Sequence, residues 1–263
     1  SQVTIFFGVA PAIAPVAGGL LFVAAGWHAI FWLLVGVGLL LWLLAARHLP
    51  ETLEPTARQS FAPGPLLRGY ASLVRNPRFG LLVLASGVPF NGMFLYVLSA
   101  PVFLMKHLGI PETGFLWLFG PAMAGLMSGS WLSGRLAGKV TPGRTIALGY
   151  LVMSCAALSN VGINLALPPG LPLSIVPLFV YTLGMALAMP SLTLLALDPF
   201  PAQRGLAASC QTFFQSGFNS LAAALIAPAL WGSTLTLALG MAGLMGLGAI
   251  TAMAHRKSRL LPG

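Results

Sequence analysis

Of 263 residues, 57% are hydrophobic and only 6% are Asp, Glu, Lys or Arg, with 13 basic residues against 4 acidic ones and a formal charge of +9. Apolar stretches this long and this poor in charge exclude a soluble globular domain and suit a hydrocarbon slab about 30 Å thick. The positive charges form short juxtamembrane groups with no continuous basic face, which excludes nucleic acid as the partner and points to topology and anionic lipid headgroups.

Eight apolar stretches of about twenty residues fall at 4–24, 29–46, 79–104, 114–134, 145–165, 172–193, 205–228 and 231–254. The basic residues test that count. Arg47, Arg58, Arg68, Arg75 and Arg78 follow the second stretch; Arg135, Lys139 and Arg144 the fourth; Arg204 the sixth; and Arg256, Lys257 and Arg259 the last. The alternate gaps hold only Lys106. By the positive-inside tendency the shared side is the cytoplasm, and the C-terminus lies there. No initiator Met precedes the first stretch, so the expectation is a piece of a longer protein.

The first stretch carries Pro11, Pro15, Gly18 and Gly19, a combination that bends a membrane helix and permits a close crossing. Between the second and third stretches lies the one segment of soluble character, 47–78, with Pro50, Pro55, Pro63, Pro65 and Pro77. It reads as a cytoplasmic linker in which residues 65–74 form at most an amphipathic turn or two. Gly125, Gly129 and Ser133 repeat at four-residue spacing in the fourth stretch, a face for close helix packing. In the seventh, Gln211, Gln215 and Asn219 share that spacing. Three amides on one helical face must meet protein or water, either as interhelical hydrogen bonds or as a substrate-facing stripe. Asn91 and Phe94 of the third stretch, with Tyr181 and Met185 of the sixth, complete a candidate pocket of amides, rings and a flexible thioether.

Elimination bounds the chemistry. His28, His48, His107 and His255 lie at stretch ends or in loops with no ligand-spaced partner, so no metal is expected. No Ser has a membrane-depth His to activate it, and no cofactor motif is present, so the chain reads as a non-enzyme. Glu51, Glu54, Glu112 and Asp198 are all at interfaces or in loops, leaving no acid at membrane depth to relay protons. Cys155 and Cys210 fall inside stretches and are expected to be reduced.

Ala14, Pro15, Gly18 and Gly19 resemble the Gly-Pro-x-x-Gly-Gly core of the antiporter signature in the fifth helix of drug exporters of the major facilitator superfamily. Trp27-His28 with Ile30-Phe31-Trp32, Glu51-Thr52-Leu53, Ala85-Ser86-Gly87, Gly92-Met93-Phe94, Leu197-Asp198 and Phe200-Pro201 resemble, in order, the Bcr/CflA branch of bicyclomycin and chloramphenicol exporters. Gly134, Arg135, Lys139 and Arg144 resemble a degenerate copy of the superfamily's cytoplasmic gating loop, with Gly138 where that motif has Asp.

The resemblance implies an all-α membrane protein with a partial major facilitator fold, about eight of twelve helices. Residues 1–46 would be the last two helices of the N-terminal bundle, 47–78 the linker, and 79–263 the C-terminal six-helix bundle with a short tail. It implies proton-coupled efflux of small amphiphilic or aromatic compounds across the bacterial inner membrane, in a chain that needs the four missing N-terminal helices. A metabolite facilitator and a non-transporting membrane subunit are the alternatives.

Overall fold

The computed structural model describes residues 17–18, 21, 24–50 and 62–260, and no strand occurs among them. Pro11, Pro15 and Gly19 lie outside the described residues, as does most of the first apolar stretch; Gly18 has open space where a Cβ would sit. Helix α1, Trp27–His48, buries no residue. It is apolar all round and long enough to cross a membrane.

The later part of the linker, from residue 62, holds a helix. Helix α2, Pro63–Val74, has three turns, because Pro63 and Pro65 both fall in its first turn, where no intrahelical N–H is required. Asn76 then caps α3, Pro77–Leu98: its Oδ1 accepts the N–H groups of Arg78 at 3.0 Å and Phe79 at 3.2 Å. The third expected stretch therefore starts earlier and ends at Leu98, with residues beyond it in a separate π-helical turn, Val102–His107, and a 3₁₀ turn, Glu112–Phe115.

Four long helices follow: α4, Leu116–Leu136; α5, Pro142–Ala166; α6, Val176–Leu197; and α7, Arg204–Leu221. The last continues through a π-helical turn, Ala222–Ile226, into the single turn α8, Ala227–Leu230, before α9, Thr234–Leu260. Among the described residues six segments are long and apolar enough to span a membrane. Helix α4 matches the others in length but is diluted by Gly and Ser, so hydropathy alone passes it over.

Helix α6 sits at the centre, packed by α4 on one side, α5 on another and α3 on a third; α9 closes against α3 and α5, and α7 lies across α3. Leu95, Tyr96, Met153, Leu178, Leu237 and Met241 are among the fully buried side chains of this one core. The small-residue face of α4 meets α6 as expected: a Cβ on Gly125 would strike the Phe179 carbonyl, and one on Gly129 the Leu183 carbonyl and the Ala186 Cβ.

Some buried polar groups are paired across helices. Asn160 donates through Nδ2 to the Tyr96 hydroxyl at 2.7 Å, and the Trp231 indole N–H donates to Ser99 Oγ at 2.9 Å. Pro89 inside α3 has no N–H for the carbonyl four residues before it, Ala85. The Tyr150 hydroxyl of α5 donates to that Ala85 oxygen, supplying the donor the proline removed.

Candidate functional site

Half-way along α3 and α7, neutral amides of the two helices meet. Gln211 donates through Nε2 to Ser86 Oγ at 3.4 Å, and Gln215 through its Nε2 to the Gly87 carbonyl at 3.4 Å and to Asn219 Oδ1 at 3.1 Å. The same Gly87 carbonyl accepts from Asn91 Nδ2 at 2.9 Å. Asn91 and Gln215 thereby share one backbone oxygen, with Asn219 linked through Gln215 and Gln211 one turn away on Ser86. Gly87 makes the approach possible, since a Cβ there would lie 2.8 Å from Phe218 Cδ2 and 3.1 Å from Gln215 Oε1. Gln211, Gln215 and Asn219 are half-buried; Gln211 and Gln215 reach α3, and Asn219 joins them through Gln215.

Asn91 is 2% exposed, and its Oδ1 has no hydrogen-bond partner among the described residues. A buried amide oxygen without a donor is an unmet acceptor in a low-dielectric setting. Phe94, one turn on, is half-buried and stacks on Phe90 with ring centroids 5.9 Å apart. Tyr181 and Met185 are placed differently from the expectation. They are 0% and 2% exposed, inside the core between α6 and α3, and the Tyr181 hydroxyl donates to the Pro89 carbonyl at 2.8 Å. Their turn of α6 faces its neighbours because this helix is central, which hydropathy does not encode. Ser86 and the Gly87 carbonyl were not singled out as site groups. Their signal was the Ala85-Ser86-Gly87 run, whose small residues admit a polar partner helix.

At the expected gating loop, α4 ends at Leu136, and Gly138 adopts φ 78° before α5 begins. Glycine occupies that left-handed turn without strain, a physical reason for its presence where a carboxylate would otherwise stand. Arg135 lies over the Trp131 ring at 4.1 Å, a cation–π contact on its own helix. Arg144 is exposed on the first turn of α5.

No three His, Cys, Asp or Glu side chains among the described residues converge to hold a metal ion. Cys155 and Cys210 are free. Asp198, at the end of α6, is engaged by Arg204 at 3.2 Å in an exposed ion pair. Such a pair contributes about 0–1 kcal/mol and sits away from the amides.

The profile of the Major Facilitator Superfamily matches residues 1–226. The chain belongs to that superfamily. Similar superfamily proteins include the uncharacterized MFS-type transporter YdgK of Bacillus subtilis, 28% identical over 200 residues, covering 75% of this chain and 50% of YdgK. A bicyclomycin resistance protein homolog of Haemophilus influenzae is 28% identical over 140 residues, 53% of this chain and 35% of the homolog. The multidrug resistance protein MdtL of Klebsiella pneumoniae is 28% identical over 201 residues, 76% of this chain and 49% of MdtL. The chain thus spans half or less of the length of these relatives. Its membrane-length helices and superfamily membership make it a multi-pass membrane protein of a transporter family. In superfamily transporters two bundles rock about a site near the bilayer midplane. The amide seam of α3 and α7 lies at mid-length of both helices.

Proposed function

We propose that this chain is part of a proton-coupled exporter of small amphiphilic or aromatic compounds, of the Bcr/CflA kind, working by alternating access in the bacterial inner membrane. Residues 1–46 form the last two helices of the first bundle, 47–78 the cytoplasmic linker and 79–263 the second bundle, with the C-terminus in the cytoplasm. Similarity to proteins named for multidrug and bicyclomycin resistance supports the drug-efflux reading.

The observation that carries it is the seam around Gly87, where Asn91, Gln211, Gln215 and Asn219 offer donors and acceptors with no formal charge. Uncharged amides beside Phe94 and Phe218 accept varied polar substituents and stack against rings, as a broad-specificity site requires. The unmet Asn91 Oδ1 takes a donor from the substrate. Tyr181 and Met185 form the packed floor behind the seam. Asp198, the single acid whose side chain is described, is held by Arg204 at the end of α6 and takes no part in the seam.

The test is dye efflux from everted vesicles carrying the complete reading frame, driven by an imposed pH gradient. Gradient-dependent extrusion that falls in Gln215→Leu at unchanged membrane abundance supports the reading. Gradient-independent equilibration would establish a facilitator, and no movement of any aromatic compound a non-transporting subunit.

A further inference from the structure

A cleft of about 670 Å³ opens where α5 begins and α9 ends, and none of the seam amides lines it. Its size lies within the range of about 300–1,000 Å³ typical of ligand sites. Most of the wall is apolar, Leu82 from α3, Leu192 and Leu195 from α6, Ala249 and Met253 from α9, with Ser154 and His255 among its polar groups. The mouth holds two guanidinium groups, Arg144 on α5 and Arg256 on α9, both exposed. The chain has only 4 carboxylates, and the one whose side chain is described, Asp198, is engaged by Arg204 and is not part of the lining. We propose that this cleft binds one anionic glycerophospholipid, an acyl chain along the apolar walls and the phosphate between Arg144 and Arg256.

Charge and shape select this occupant together. A cationic amphiphile would meet two positive charges at the entrance, and a free phosphate would leave the long apolar trough uncovered. A phosphodiester on an acyl chain satisfies both ends, with bidentate geometry open to each guanidinium. Leu151 and Met253 are 60% and 59% exposed on the cleft walls, as surfaces solvated by hydrocarbon are. The first turn of α5 opens at the same mouth without a side-chain cap, and its partial positive charge adds to the attraction.

Native mass spectrometry of the full chain in detergent tests this, with titration by long-chain phosphatidylglycerol, phosphatidylcholine of the same chains, dihexanoyl phosphatidylglycerol and inorganic phosphate. At about a factor of five per arginine, the two charges give one long-chain phosphatidylglycerol a preference of about thirtyfold over phosphatidylcholine. The short-chain lipid and phosphate are expected to bind far more weakly. R144Q/R256Q, both at exposed positions, should abolish the preference at unchanged melting temperature, and R68Q/R75Q, which removes two exposed charges outside the cleft, should leave it intact. A249W should weaken both long-chain lipids by filling the trough. Equal binding of the two headgroups, equal loss in R68Q/R75Q, tight binding of phosphate alone, or occupation of the face by a second copy of the chain would each overturn the proposal.

Discussion

Replacing Tyr150 by Phe should destabilise the bundle through one backbone oxygen. Pro89 leaves the Ala85 carbonyl of α3 without its helical donor, and the Tyr150 hydroxyl is the group that reaches it. Both residues are buried, at 7% and 1% exposure, so water cannot take over. A buried acceptor left unsatisfied costs about 1–3 kcal/mol in soluble proteins. Polar couplings between membrane helices average nearer 0.6 and reach about 1.7 kcal/mol. The expected loss for Tyr150→Phe is therefore about 1–2 kcal/mol, read from reversible unfolding of the chain in mixed detergent micelles followed by tryptophan fluorescence. The diagnostic arm is Pro89→Ala, which restores an N–H to α3 directed at Ala85. In that background Tyr150→Phe should cost under about 0.5 kcal/mol, a coupling of about 1 kcal/mol. Tyr181→Phe should cost less than Tyr150→Phe in the wild-type background, because its acceptor, Pro89 O, already receives a helical N–H from four residues on. An equal penalty for Tyr150→Phe with and without Pro89 would refute the reasoning.

Gly129→Leu should separate α4 from α6 and lower stability by more than about 2 kcal/mol, since even a Cβ meets the Leu183 carbonyl, a backbone atom with no rotamer to yield; melting of the purified variant checks this. Single cysteines introduced near Arg68 and Lys139 should be protected from an impermeant thiol reagent in intact cells, while one near Pro169 should be labelled; external labelling at Arg68 would overturn the orientation. In the complete transporter, Gln211→Leu and Gln215→Leu should each reduce efflux severalfold while leaving abundance unchanged, whereas Ser220→Ala, an exposed hydroxyl bonded within its own helix to Ser216 O, should leave it unaltered; equal loss in all three would remove the amides from the site. Residues 1–263 expressed alone should insert yet show no gradient-driven extrusion until the upstream helices are supplied, and drug extrusion by the chain alone would place the coupling acid within it.

Much of the architecture was legible because the bilayer imposes a one-dimensional code. A span needs about twenty apolar residues whatever its neighbours do, so the helices now labelled α1, α3, α5, α6, α7 and α9 could be marked from hydropathy alone. Helix α4 was legible as a stretch of that length, and its Gly125-Gly129-Ser133 face correctly implied a tight crossing. The amides of α7 were also identifiable, because no amide face can be turned to hydrocarbon. In the linker an amphipathic turn or two was legible at residues 65–74; the helix runs from Pro63 to Val74 because both prolines fall in its first turn.

Partners are a different matter. Composition marks Gln211, Gln215 and Asn219 as polar but cannot say that Ser86 and the Gly87 carbonyl receive them, because the rotation of α7 about its axis depends on contacts 125 to 128 residues away in the chain. Likewise a phenol and a thioether on α6 look adaptable in isolation, yet α6 is enclosed by α3, α4 and α5, which turns Tyr181 and Met185 into core. Tyr150 answering for Pro89, 61 positions upstream, has no sequence signature at all. Span length and charge placement are solvent-transfer properties that each segment carries alone, so the sequence determined them; helix rotation and donor–acceptor pairing are properties of two surfaces at once, and only the packed bundle decided those.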